Sequence, residues 1–102
     1  MPQGKPYRVH PDAWAEFEQA ADWYLARSRT AVVNFIKSVS DAFDAISQAP
    51  QRWPKYLHGT QRFLLRGFPF SIVYFDDPDA VNIVAVAHTS RKPGYWKPRM
   101  QP

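Results

Sequence analysis

The sequence contains no cysteine. That excludes disulfides, thiolate nucleophiles and cysteine-ligated zinc, and it fits a reducing compartment. Nowhere does it carry the roughly 20 consecutive apolar residues of a membrane helix. Its opening, "MPQGKPYRVHPDAW", has no apolar stretch of signal-peptide length. A cytoplasmic protein without membrane contact is therefore expected. The three histidines, His10, His58 and His88, are scattered with no helical pairing, so neither a metal nor another cofactor is expected.

Acid is missing from two long stretches. From Ala45 to Phe75 the charged residues are Arg52, Lys55, Arg62 and Arg66; from Ala80 onward they are Arg91, Lys92, Lys97 and Arg99. The acids lie elsewhere: Asp12, Glu16, Glu18, Asp22, Asp41 and Asp44 in the first half, and Asp76, Asp77 and Asp79 in one turn. A formal net charge of +4 is modest. Two acid-free segments that fold side by side would nonetheless form a positive face, suited to a polyanion or an acidic partner.

A chain of 102 residues with 45% hydrophobic residues is the size of one domain, spanning 1–102, with flexible ends expected at about 1–5 and 97–102. Aromatics reach 16%, so some are expected to serve a surface as well as the core. "YRVH" at 7–10 reads as a short strand. Pro11 suits the first turn of a helix, where its missing N–H costs nothing. From Asp12 the apolar positions Trp14, Phe17, Ala21, Tyr24 and Leu25 form a helical stripe that fades near Arg27. Glu16, Glu18 and Asp22 read as its solvated face. After the connector "ARSRT", in which Ser28 or Thr30 would cap, Val32, Phe35, Ile36, Val39, Phe43 and Ile46 mark a second helix from about Ala31 to Gln48, stopped by Pro50. The short link makes the pair an antiparallel hairpin.

Beyond a Pro- and Gly-bearing loop (Ala49 to Gln61), three strands follow: "RFLLR", "FSIVYF" and "AVNIVAVAH", the last two split by the turn "DDPD". Gly67 and Pro69 predict a tight or bulged first hairpin. In that loop, Trp53, Tyr56 and Leu57 either take a partner's side chain or, as expected here, lid the core. The order is β-α-α-β-β-β, an α+β fold with a two-helix hairpin on one face of a mainly antiparallel, curved sheet.

The segments "HPDAWAEFEQAADWY", "FIKSVSDAFDAISQAP", "QRFLLRGFPFSIVYF" and "AVAHTSRKPGYW" together resemble the RelE/ParE superfamily of toxins from bacterial type II toxin–antitoxin modules. They span nearly the whole chain in the expected order, and the last two look more like the ParE-type and plasmid-stabilisation branch. The resemblance implies a cognate antitoxin that wraps the toxin, and a target in an essential process. That target is DNA gyrase in ParE-like members and mRNA on the ribosome in nuclease members. A further reading is a non-toxic relative that only binds its antitoxin.

Arg62 matches an arginine near the start of this strand in the superfamily, where nuclease members hold the scissile phosphate. Arg62 and Arg66 both fall on the strand face opposite Phe63 and Leu65, as phosphate ligands or as solvated arginines. Alternation places His88 with Asn82, Val84 and Val86, as a general acid or base or as a backbone anchor. In "SRKPGYW", Arg91 and Lys92 supply charge, while Tyr95 and Trp96 supply planar faces for bases or for a protein interface; alternatively the rings strap the tail to the core. Target contacts are thus expected from Arg62, Arg66, Arg91, Lys92, Tyr95 and Trp96. A nuclease site would consist of Arg62, His88, Arg91 and Tyr95. Ser71 aligns where several nucleases carry a second arginine, and no acid is near by sequence.

Overall fold

The computed structural model describes residues 4–100; the expectations of flexible ends at residues 1–3 and 101–102 lie outside the described residues. Strand β1 (Tyr7–Val9) leads into helix α1 (Pro11–Arg27) and helix α2 (Arg29–Gln48). Strands β2 (Gln61–Leu64), β3 (Phe70–Asp76) and β4 (Val81–His88) complete an open sheet of order β1-β4-β3-β2. Only β1 pairs in parallel, with β4; the two remaining pairings are antiparallel. The α+β fold read from the sequence is the one observed.

Each helix boundary has a local cause. Pro11 opens α1, and the ring Nδ1 of His10 accepts the Asp12 N–H at 3.0 Å. A single residue, Ser28, joins the helices, so α2 begins two residues earlier than the sequence suggests. Its extended backbone donates to the Tyr24 carbonyl, closing α1, while its Oγ accepts the Ala31 N–H and opens α2. A cap of this kind contributes about 1 kcal/mol.

The hairpin buries Ala13, Ala20, Phe35, Val39, Ala42, Phe43 and Ile46 against Ile72, Tyr74, Val81, Ile83 and Val86 of the sheet. Small residues on α1 let it approach β4 closely. Three bulky members of the expected stripes, Trp14 (49% exposed), Leu25 (56%) and Ile36 (45%), lie at the margins instead. The Tyr74 hydroxyl crosses the core to donate to the Pro50 carbonyl at 2.6 Å. Of the loop aromatics, Trp53 packs on Phe63 with ring centres 4.5 Å apart, Tyr56 joins the opposite sheet face, and Leu57 stays 40% exposed.

The other sheet face is also covered, by the tail. Val73, Val84, Ala85 and Ala87 form a second cluster around Trp96, with Tyr56, Phe75, Tyr95 and Met100 at its edge. Trp96 is 1% exposed; burying an indole of this size contributes up to about 4–6 kcal/mol. The sheet is thus sandwiched between the helices and a short 3₁₀ turn at Lys97–Met100.

A β-bulge reverses one expectation. Val73 pairs with Ala85, but its neighbour Tyr74 pairs with Ile83, so Val84 is the extra residue. One additional residue flips everything after it to the opposite face. His88 therefore shares the helix-side face with Ile83 and Val86, not the face of Asn82 and Val84, and its ring stands edge-on to Phe70 at 5.1 Å.

Candidate functional site

Where the tail turns back over the end of β4 it encloses a shallow concavity of about 90 Å³. Arg62 from β2, Ser71 and Val73 from β3, His88 at the end of β4, and Arg91, Lys92, Tyr95 and Trp96 from the tail all line it. No carboxylate does. The two acid-free stretches of the sequence thus meet in space, with the β2 arginine beside the cations of the tail.

The cations are held by rings. The guanidinium of Arg62 lies 4.2 Å over the Tyr56 ring, and that of Arg91 lies 3.9 Å over Tyr95. Such stacking contributes about 0.5–1 kcal/mol at exposed sites. It also limits where the two charges can go. Gly94 makes the turn that brings Tyr95 back onto the sheet, with a φ of +85° that side chains disfavour.

His88 is tied by its Nδ1, which accepts the Ser90 N–H at 3.0 Å and lies 2.7 Å from the Ser90 hydroxyl. An acceptor Nδ1 places the proton of the neutral ring on Nε2. In that tautomer the free nitrogen is a donor, suited to an anion and unsuited to abstracting a proton.

Tyr95 is likewise committed. Its hydroxyl donates to Glu16 Oε2. Burial, reinforced by the hydrogen bond to Glu16 and by that carboxylate's charge, pushes the hydroxyl well above the usual tyrosine range. Glu16 is saturated in turn. Arg99 grips both its oxygens, at 2.8 and 3.0 Å, and the Val86 N–H donates to Oε1 at 3.0 Å. Arg99 also donates to the Val84 carbonyl at 3.1 Å, satisfying the bulged residue. This clasp of Glu16, Tyr95 and Arg99 pins the tail to α1 and to the outer edge of β4.

Several sequence expectations are corrected here. Glu16 is not on a solvated face: its side chain is 14% exposed and holds the tail. Trp96 presents no face to a target, because it is core. Arg66 lies past the end of β2, outside this concavity, and lines a separate groove with Arg62. Arg62, Arg91, Lys92 and Tyr95 are brought together; His88 borders the concavity at the end of β4, but its ring stands against Phe70 on the helix-side face. Ser71 is buried at 4% exposed and carries no charge into the site. Among the described residues no cluster of His, Asp and Glu could hold a metal ion, and no helix is long and apolar enough to cross a membrane.

Glu16 and Arg99 were the residues missed. The signal for Glu16 was its spacing: Ala13, Glu16 and Ala20 fall on one helical stripe, and the two alanines are buried. Nothing local marks Arg99 as its partner, 83 residues away.

Comparison with known proteins places this geometry in a family. No curated protein matches the sequence. Among solved structures, one described as the chromosomal ParDE TA system from P. aeruginosa superposes with a TM-score of 0.72 at 14% identity, covering 82% of this chain and 95% of the other. That likeness is one of fold. A family profile described as "ParE toxin of type II toxin-antitoxin system, parDE" matches residues 7–93, ending just before Tyr95, Trp96 and Arg99. With most of its length matched, from β1 through the cationic turn after β4, the chain belongs to the ParE toxin family of type II toxin–antitoxin systems.

Proposed function

We propose that this protein arrests bacterial growth by binding and inhibiting DNA gyrase, without chemistry of its own, and that a cognate antitoxin neutralises it. The observation that carries this reading is the state of the groups at the tail concavity. Cleavage of RNA needs a group to take the 2′-hydroxyl proton and another to protonate the leaving oxygen. Here Tyr95 and Glu16 are locked to each other and to Arg99, and His88 presents an N–H, so none of the three is free to take the 2′-hydroxyl proton. What remains outward is recognition equipment: Arg62 and Arg91 stacked on rings, Lys92 beside them, and no carboxylate to neutralise them. A surface of this kind binds an acidic protein face or a phosphate backbone. It is poorly furnished for general acid–base work.

The test is to add the purified protein to a gyrase supercoiling reaction and, in parallel, to a coupled translation extract whose mRNA is mapped for cuts. Loss of supercoiling with intact mRNA is expected. Arg62→Ala and Arg91→Ala should each weaken inhibition roughly tenfold, about 1.4 kcal/mol, with little change in melting temperature. Cut mRNA and untouched supercoiling would replace this reading with a ribosome-dependent nuclease. Neither effect would leave a non-toxic antitoxin-binding relative.

A further inference from the structure

Beside the clasp, on the helix side of the sheet, lies a pocket of about 360 Å³. It opens because β1 pairs with β4 only as far as Ile83; among the described residues no strand covers the outer edge of β4 from Val86 to His88. The C-terminal half of α1 stands over that edge, and the start of β3 closes the far side. Ala20, Trp23, Pro69, Phe70 and Val86 give the pocket an apolar lining. Trp23 is 52% exposed and is nonetheless held in place. The Arg27 guanidinium lies 3.4 Å over its ring and donates to its carbonyl at 3.1 Å.

His88 and Arg91 make the tail end of this pocket a donor site. Glu16 also lines it, but its oxygens are taken by Arg99, by the Tyr95 hydroxyl and by the Val86 N–H. Ser90 occupies the Nδ1 of His88, so Nε2 carries the proton of the neutral ring. Arg91 is held 3.9 Å over the Tyr95 ring, and among the described residues no carboxylate pairs with it. Its planar fork of N–H groups matches the two oxygens of a carboxylate. Small-molecule sites are mostly apolar, with a few polar groups that fix orientation, and run from roughly 300 to 1,000 Å³. This pocket has that make-up at the small end of the range, enough for one or two fused rings.

We propose that this pocket binds a small aromatic carboxylate, with its rings against Trp23 and Phe70 and its carboxylate on Arg91 and the Nε2–H of His88. A cationic ligand would meet the Arg91 charge. A nucleotide would set the polar edge of its base against Ala20, Phe70 and Val86, which offer it no side-chain partner. His88, Arg91 and Tyr95 line both this pocket and the tail concavity. An occupant therefore draws on the same guanidinium that the tail concavity presents. Binding itself stands apart from the toxin reading, since it needs no target.

The experiment titrates 2-naphthoate into the full chain labelled with heavy nitrogen and follows the amide resonances. Saturable shifts clustered at Ala20, Trp23, Phe70, Val86 and His88 are expected. Naphthalene-2-methylamine, with the same rings and the opposite charge, should bind at least about tenfold more weakly, and acetate should not saturate. Arg91→Gln should weaken 2-naphthoate about tenfold and Trp23→Ala about fivefold, both at little-changed melting temperature. Trp14→Ala removes a tryptophan of α1 that is about as exposed but lies outside the pocket, and should leave the affinity unchanged. No saturation by about 1 mM overturns the proposal, as does equal affinity for the amine or an equal loss in Trp14→Ala. Tighter binding of adenosine monophosphate than of 2-naphthoate overturns it in favour of a nucleotide site. The supercoiling assay shares no component with this titration except the protein, so failure of either reading leaves the other standing.

Discussion

Arg99→Met tests the clasp that holds the tail. In the native protein Glu16 and Arg99 share two short hydrogen bonds, and each side chain is 14% exposed. Asp12 approaches Arg99 at 3.7 Å but is 63% exposed, so it adds little. Removing Arg99 leaves the Glu16 carboxylate buried, with the Val86 N–H and the Tyr95 hydroxyl as its remaining donors. Breaking a buried pair from one side costs about 3–5 kcal/mol. Two surviving donors place the cost at the lower end, about 3 kcal/mol. At roughly 4–8 °C per kcal/mol for a domain of this size, that lowers Tm by about 12–24 °C.

The assay is urea unfolding followed by tryptophan fluorescence, with calorimetry for Tm. Adding Glu16→Gln to Arg99→Met removes the stranded charge while keeping an amide that can serve Val86 and Tyr95. About 1–2 kcal/mol should return. A loss below about 1 kcal/mol in Arg99→Met, with no recovery in the double variant, would refute the reasoning: the pair would then be screened by water and the tail held by Trp96 alone.

Alkali should release the same strap. Tyr95 keeps its proton more tightly when folded than the ordinary 10.0 of tyrosine allows, chiefly through burial and then through Glu16. Its contribution to stability is therefore fully present below pH 10 and falls as pH rises above it. In Tyr95→Phe the fall in urea midpoint between about pH 9 and 11 should be shallower. The remaining slope is shared by Tyr74, whose hydroxyl is raised by burial and by Asp76, by Tyr24, raised by burial, and by Lys37, raised by its hydrogen bond to Asp41; an unchanged slope would sink the assignment. Gly94→Ala should destabilise more than Gly67→Ala. Both glycines have positive φ, +85° and +78°, costing a side chain about 1–2 kcal/mol. A Cβ at Gly94 would also lie 3.3 Å from His58 Nε2, whose ring packs edge-on to Trp96, whereas one at Gly67 meets nothing within 4 Å. Equal losses in chemical denaturation would show that the tail turn has room to spare.

The hairpin and the strands were legible because their periods are clean. Phe35, Val39, Phe43 and Ile46 repeat at helical spacing, and "FSIVYF" and "AVNIVAVAH" are too β-rich for anything else. The bulge was silent, because Val84 and Ala85 are both apolar and alternation cannot tell which of them is extra. The site followed the same division. That Arg62 would meet Arg91 and Lys92 could be argued from the absence of acid. That Glu16 would be buried could not be seen from charge, because a carboxylate on a helix is usually solvated, and its partner lies 83 residues along the chain.

The clasp also explains how the tail can be at once basic and orderly. A segment holding Arg91, Lys92, Lys97 and Arg99 would repel itself and lift away unless some of that charge were neutralised inside. Arg99 is drawn under Tyr95 to Glu16, and Trp96 fills the space beneath Val73 and Ala85. Pinned at those two residues, the chain must turn at Gly94, and the turn leaves Arg91 and Lys92 outside, facing Arg62. The anchors lie past residue 93, where the family match stops, while the cations they position lie within it. The strap therefore acts as a fitting that sets the reach of a surface the family match includes. A variant with a loosened strap should keep its cations and lose their alignment before it loses its fold.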